Sequence, residues 1–318
     1  MTEARSIKYR LLRARRLLGA SLALSLLAGA AAACGGGSSA STASDSGRIQ
    51  VTAAENFWGS IASQLGGNKV ALTSIITNPD TDPHDYQPTA SDGRTIAQAQ
   101  MVIFNGIGYD PWAPKLLAAD SGNHPTVLDV GQLVGIPDGG NPHRWYSPSN
   151  VQTVISTITA DYKQLDPKDS AYFDAQNEAF QTTGLARYNQ LVNQIKAQYP
   201  GVPVGASESI FAPLAQALGL DLITPSTFLD AISEGTEPTA QDKATIDSQI
   251  KGHQISVYVY NSQNSTPDVQ AQVKEARAAG IPVTTITETL APASASFQAW
   301  QVNQLEGLAN ALHRATGH

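Results

Sequence analysis

The fold is decided by residues 169–199, which read DSAYFDAQNEAFQTTGLARYNQLVNQIKAQY. This stretch contains no proline and a single glycine, and its apolar side chains recur at helical spacing. Asp166-Pro167 before the stretch is a start signal for a helix, and Pro200-Gly201 after it is a stop signal. The pattern predicts one long rigid helix within residues 166–199, about 46 Å long from the rise per residue of an α-helix.

Short β-branched runs alternate with helical patterns on both sides of this helix. Strands are predicted at residues 49–53, 70–76, 101–104, 126–129, 202–205, 221–223, 255–260 and 281–286. Helices are predicted at residues 57–65, 90–99, 111–119, 210–218, 240–251, 267–279 and 294–313. Such alternation is typical of βαβ units and largely parallel sheets. The predicted fold is therefore α/β, with an N-terminal lobe at 48–165 and a C-terminal lobe at 200–318, each a parallel sheet flanked by helices, joined by the long helix.

The composition excludes several classes of protein. The chain has 318 residues, a mass of 33.5 kDa, 42% hydrophobic residues and a formal net charge of −7. These values are inconsistent with a disordered tail, a collagen-like repeat or a polytopic membrane protein. The acidity argues against sequence-independent nucleic-acid binding, which depends on Lys and Arg.

The N-terminus has the pattern of an export signal. Six basic residues precede the uncharged, apolar stretch Leu17–Ala33, which is followed by Cys34 and a Gly/Ser-rich segment. An uncleaved membrane anchor is the alternative, because 17 residues lie at the lower edge of what spans a bilayer. Residues 31–34 resemble a bacterial lipoprotein signal, which implies a signal peptide at 1–33 and a lipid on Cys34, the only cysteine. Residues 34–47 are predicted to form a flexible tether.

Four side chains with metal-binding groups follow predicted strands: His84, His143, Glu208 and Glu288. Taken singly, each has an ordinary explanation, such as an exposed loop histidine or a carboxylate near a helix N-terminus. Glu208 is expected at such a helix start, with Ser207 as the N-cap residue. Together they are two imidazoles and two carboxylates, two from each lobe, a set that could coordinate a divalent transition metal. The cleft between the lobes, at the carboxyl ends of the strands, is the expected place for such a site.

The chain resembles the metal-binding solute receptors of bacterial zinc and manganese ABC importers. The resemblance is carried by DPHDYQPT (82–89), FNGIGYDPW (104–112), NPHRWYSP (141–148), EGTEPTAQD (234–242) and YNSQ (260–263). It implies that His84, His143, Glu208 and Glu288 bind one transported metal ion. It also implies a monomeric lipoprotein, exported and anchored by Cys34 on the outer face of the cytoplasmic membrane, with an ABC permease as its partner. Some members of the family are described as surface adhesins.

The sequence leaves more than one assignment open for the metal ion and for the function. A set of two histidines and two glutamates suits manganese, whereas the Irving–Williams order favours zinc, so both ions stay open. A secreted metal-dependent hydrolase could use the same ligands, with one glutamate as general base. The sequence has no HExxH pair and no GxSxG turn, which favours a receptor that is not an enzyme. A third possibility is the same architecture with a chelated metal or a corrinoid as ligand.

Overall fold

The computed structural model describes residues 47–119 and 122–317, and within them eight strands form two parallel sheets. The first sheet has the order β2-β1-β3-β4, and its strands are β1 Ile49–Glu55, β2 Val70–Ile76, β3 Met101–Phe104 and β4 Thr126–Asp129. The second has the order β6-β5-β7-β8, with β5 Pro203–Ala206, β6 Asp221–Leu222, β7 Val257–Asn261 and β8 Val283–Ile286. The predicted signal peptide, the tether up to residue 46 and Cys34 lie outside the described residues.

Helices flank both sheets, as the α/β fold class predicted. Those around the first sheet are α1 Asn56–Gly66, α2 Ala90–Gln98, α3 Trp112–Ala119, α4 Val130–Val134 and α5 Pro148–Leu165. Two more, α6 Ser170–Ala179 and α7 Ala186–Gln198, connect the lobes. The second sheet carries α8 Ala212–Leu218, α9 Ser226–Ser233, α10 Ala240–Lys251, α11 Pro267–Ala278 and α12 Phe297–Thr316. No helix in residues 47–119 and 122–317 is both long and apolar enough to cross a bilayer.

Helix α5 is not among the helices that the sequence predicts. Its β-branched residues favour strands, but they stand at helical spacing, and the buried ones are Val151, Val154, Ile155, Ile158 and Thr159. The start signal was present, since Ser147 caps the helix and Pro148 occupies its first position. Helix α9 was missed as well.

The connecting helix contains a turn that the sequence did not predict. Phe180–Gly184 is a π-helical turn between α6 and α7, closed by a hydrogen bond of 2.8 Å from Leu185 N to Phe180 O. A Cβ on Gly184 would lie 3.0 Å from the Phe180 ring, so glycine allows this ring to pack against the helix. Residues on either side of the turn, including Phe173 and Tyr188, are buried.

One apolar core is shared by both lobes and the connecting helix. It includes Val51 from β1, Tyr188 from α7, Val204 from β5 and Leu308 from α12. Helix α12 also contacts α1 of the first lobe, and Phe297 N donates a hydrogen bond of 2.9 Å to Ser60 Oγ. Separating the lobes would expose this apolar surface to water, at a cost of about 25 cal/mol per Å².

Candidate metal centre

His84 lies in a short 3₁₀ turn, Pro83–Asp85, after β2. Asp82 caps the turn, because its Oδ1 accepts a hydrogen bond of 2.9 Å from the His84 backbone N–H. The ring of His84 lies edge-on to that of Tyr109, with the centroids 4.6 Å apart. The turn therefore presents a buried imidazole nitrogen, Nε2, that makes no hydrogen bond within the described residues.

His143 is fully buried in the loop before α5. Asn141 Oδ1 accepts a hydrogen bond of 3.0 Å from the His143 backbone N–H and lies 2.9 Å from His143 Nδ1. This contact places a proton on Nδ1, so that Nε2 keeps a free lone pair. Asn141 Nδ2 also donates to Ser209 O at 2.7 Å, which ties the loop to the second lobe directly beside Glu208.

Glu208 is almost fully buried, between β5 and the 3₁₀ turn Ser209–Phe211. The expectation that Ser207 caps the helix at this point is wrong. Ser207 Oγ instead accepts a hydrogen bond of 3.0 Å from the backbone N–H of Asn261, because β5 and β7 are neighbours in the sheet. The side chain of Ser207 thus fixes the two strand ends to each other.

Glu288 follows β8 in a loop that is held at both ends. On one side, Thr287 O accepts a hydrogen bond of 2.8 Å from Tyr146 OH, which comes from the first lobe. On the other side, Thr289 N donates a bond of 3.0 Å to Gln263 Oε1. These contacts set the direction in which the buried Glu288 carboxylate points.

Three of the four predicted ligands come together. One ligand atom each from His84, His143 and Glu288 lies within 4.8 Å of the other two. His143 Nε2 is 3.4 Å from Glu288 Oε1, and the two imidazole centroids are 5.8 Å apart. Buried polar atoms without partners are costly, and a cation between these groups would give both Nε2 atoms a partner.

Glu208 lies beside this trio and not within it. The side-chain amide of Asn261 donates hydrogen bonds to both glutamates, at 3.1 Å to Glu208 Oε2 and 3.2 Å to Glu288 Oε1. The other oxygen of Glu208, Oε1, is buried and has no partner among the described residues. Glu208 is therefore a neighbour of the trio with one unused oxygen, and its role as the fourth ligand stays a prediction.

The buried setting raises the pKa of one glutamate of the site and, together with the histidines, leaves the pKa of the other lowered. Burial, followed by the charge of Glu288, raises the pKa of Glu208 well above its usual value. Burial acts in the same direction on Glu288, but His143 and His84 outweigh it, and the pKa of Glu288 falls below its usual value. Burial also lowers the pKa of His84. A neutral imidazole and an ionised Glu288 are the forms that bind a metal ion.

The loop Asn105–Asp110 brings a hydroxyl to the site. Gly106, Ile107 and Gly108 all have positive φ, which for the β-branched Ile107 is a strained conformation. Asp110 holds the loop by accepting hydrogen bonds from the backbone N–H groups of Asn105 at 2.6 Å and Gly106 at 2.8 Å. The result is that Tyr109 OH donates a bond of 2.9 Å to Glu288 Oε2.

Access to the trio is through the cleft. A cavity of about 380 Å³ is lined by residues of both lobes, among them His84, Tyr109, Asn141, Asp230 and Glu234. A smaller cavity of about 50 Å³ contacts both His84 and Glu288. Acidic side chains along such a path attract cations.

The supporting residues Tyr109, Asn141 and Asn261 are not among the site residues that the sequence predicts. All three lie inside motifs that carried the resemblance. Asn261 also ends strand β7, at the edge of the sheet where ligands are expected, and this position was the available signal.

Two lobes with parallel sheets and buried metal-binding groups between them define a metal-binding solute receptor. A family model described as "Zinc-uptake complex component A periplasmic" matches residues 51–311. The chain therefore belongs to this family, as the resemblance predicted. The family consists of receptors of ABC transporters, so the chain is not an enzyme, and nothing supports the hydrolase alternative.

Two relatives illustrate the similarity in sequence. The chain is 26% identical over 246 residues to the manganese ABC transporter substrate-binding lipoprotein PsaA of Streptococcus pneumoniae, covering 71% of this chain and 76% of the relative. It is 24% identical over 192 residues to the manganese-binding lipoprotein MntA of Halalkalibacterium halodurans, covering 57% and 62% of the two chains.

Solved structures share the fold. A Mn-bound mutant of the periplasmic metal binding protein from Candidatus Liberibacter asiaticus superimposes with a TM-score of 0.70 at 19% identity, covering 83% of this chain and 100% of that one. The periplasmic zinc binding protein TroA from Treponema pallidum gives a TM-score of 0.67 at 17% identity, covering 85% and 99%. Both confirm the α/β fold class with two lobes.

Proposed function

We propose that this protein captures one Zn²⁺ or Mn²⁺ ion between its lobes and delivers the ion to the permease of an ABC importer. The ligands are His84, His143, Glu208 and Glu288. The observation that carries the proposal is the convergence of ligand atoms from His84, His143 and Glu288 within 4.8 Å, with Glu208 beside them. The relatives named for manganese and zinc support the same class of cargo.

The chemistry of the four groups suits capture. Neutral imidazoles donate lone pairs, and two carboxylates neutralise the two positive charges of the ion. For Zn²⁺, four ligands from the protein complete a tetrahedral site and leave no open position for a reacting water or substrate, so such a site retains the ion and does not activate it.

Release depends on the membrane partner. The apolar core that the lobes share favours a small movement of the lobes, so docking on the permease is needed to open the site. A lipid on Cys34 keeps the receptor, as a monomer, at the outer face of the cytoplasmic membrane and near the permease.

The test is metal content, measured by mass spectrometry on chelator-stripped protein after equilibration with equal buffered Mn²⁺ and Zn²⁺, followed by competition titration. We expect one ion per chain in the wild type. His84→Ala and Glu288→Ala should each weaken binding at least about 100-fold, because even residues that only support ligands contribute about 10- to 100-fold.

The matched control is His124→Ala, since His124 is an exposed histidine of the same lobe. It should bind metal like the wild type. Wild-type affinity in both the His84 and the Glu288 variants would overturn the proposal, as would the absence of binding to either ion.

A further inference from the structure

Asn261 has a central position in the second lobe, although it is not one of the proposed metal ligands. It ends β7, which lies between β5 and β8 in the second sheet, and it is fully buried. The two flanking strands are the ones that lead to Glu208 and Glu288. The side chain of Asn261 therefore lies where the two carboxylates of this lobe approach each other.

The hydrogen bonds of Asn261 fix the orientation of its amide. Oδ1 accepts a bond of 2.9 Å from the backbone N–H of Gln263, and Nδ2 donates to Glu208 and Glu288. In the flipped orientation, Oδ1 would face two carboxylates and Nδ2 would face another donor. Both N–H groups of the amide are thus committed to the glutamates.

These bonds leave the four carboxylate oxygens unequal. Asn261 binds Glu208 Oε2, and Tyr109 OH binds Glu288 Oε2 at 2.9 Å. Glu208 Oε1 has no partner within residues 47–119 and 122–317. Glu288 Oε1 receives the second bond from Asn261 and is the oxygen 3.4 Å from His143 Nε2. Oε2 of each glutamate is therefore held by a donor, which is Asn261 for Glu208 and Tyr109 for Glu288.

We infer that Asn261 is a positioning residue that limits Glu208 to one metal-binding oxygen, as Tyr109 does for Glu288, and that it thereby favours zinc over manganese. The inference rests on the proposed function. Two imidazole nitrogens and two single carboxylate oxygens make four donors, the number that Zn²⁺ takes in tetrahedral sites. Mn²⁺ prefers more oxygen ligands in an octahedral arrangement, which carboxylates bound through both oxygens would help to supply.

The experiment compares the wild type with Asn261→Leu, which keeps a similar volume and removes the donor. The dissociation constants for Zn²⁺ and Mn²⁺ are measured by competition titration, and Co²⁺ reports coordination number through the intensity of its visible bands. We expect the ratio of the Mn²⁺ constant to the Zn²⁺ constant to fall about 10-fold in the variant, the size of effect of a residue that supports a metal ligand. The strong Co²⁺ bands of a four-coordinate site should weaken.

Gln249→Leu is the matched control, because Gln249 is a buried amide of the same lobe that donates to Ile223 O at 2.7 Å and makes no bond to either glutamate. It should keep the wild-type ratio and spectrum. Asn261→Ala is a second variant, which keeps the backbone bond to Ser207 and serves if the leucine variant does not fold. An unchanged ratio and Co²⁺ spectrum with intact binding overturn the inference alone. Absence of metal binding in the wild type overturns the proposed function.

Discussion

The two lobes each carry a pair of buried acids at the carboxyl ends of their strands, and the pairs differ in their surroundings. In the first lobe, Glu55 ends β1 and Asp110 follows β3. In the second lobe, Glu208 follows β5 and Glu288 follows β8. The two sheets have the same strand order, with β1 and β5 in corresponding places. The same topology thus brings acids together twice.

The first-lobe pair is arranged to hold a proton. Asp110 accepts two backbone N–H bonds, which favour its ionised form, whereas both oxygens of Glu55 lack a partner among the described residues. Burial, followed by the charge of Asp110, raises the pKa of Glu55 well above its usual value. Burial raises the pKa of Asp110 to about 6. A proton on Glu55 that is shared with Asp110 satisfies both groups.

The second-lobe pair has different neighbours, which suit the cation of the proposed function. An amide donor, Asn261, lies between the acids, and the two imidazoles lie next to Glu288. Imidazole lone pairs add ligands that the first-lobe pair lacks. Under the proposed function, the neighbours of each pair, and not the acids themselves, account for the different roles of the two pairs.

The largest expected effect comes from the same substitution in each pair. Glu208→Gln removes the proposed fourth ligand and should weaken Zn²⁺ binding by about 100-fold, the upper end of what residues that only support metal ligands contribute. Glu55→Gln should leave the affinity within about twofold, because glutamine can donate to Asp110 and keep the Asn105–Asp110 loop in place. Competition titration of both variants checks the comparison, and equal losses would contradict it.

The fold was predictable because strands and helices are local patterns. The runs that became β1 to β8 are β-branched segments bounded by turn residues, and the predicted bounds differ from the observed ones by few residues. Helix α5 was not predicted because its threonines, valines and isoleucines favour strands. Only their helical spacing and the cap at Ser147 indicate a helix.

The site was predictable in part. The resemblance selected His84, His143 and Glu288, which the structure brings together. The bond from Asn261 to the glutamates could not be predicted, because it depends on the order in which β5, β7 and β8 pair. The contact of Tyr109 with Glu288 joins residues 179 positions apart, and only the packed lobes bring them together.

A smaller effect is expected from Tyr109→Phe, which removes the donor to Glu288 Oε2. In the wild type, this hydrogen bond links the loop of the first pair to the second pair. Losing a residue that supports a metal ligand should weaken Zn²⁺ binding about 10-fold. Tyr162→Phe is the control, since its hydroxyl donates to Ala62 O at 3.0 Å in the core of the same lobe. Titration of the two variants should show the loss only for Tyr109, and a loss of the same size in both would mean that it reflects packing.

The smallest effect is expected in the pH dependence of stability. A carboxyl whose pKa is raised in the folded protein stabilises the fold below its usual pKa near 4.3, and this stabilisation is lost as pH rises through the raised value. Without metal, the wild type should therefore lose stability because of Glu55 as pH rises above the usual carboxyl pKa. Glu55→Gln removes this group, so its stability should fall less over the same range. Thermal unfolding in chelator at pH 5, 6.5 and 8 measures the difference between the two proteins, in which the other titrating groups largely cancel. Parallel curves for wild type and variant would mean that Glu55 does not hold a proton, and that the contrast between the two pairs of acids is wrong.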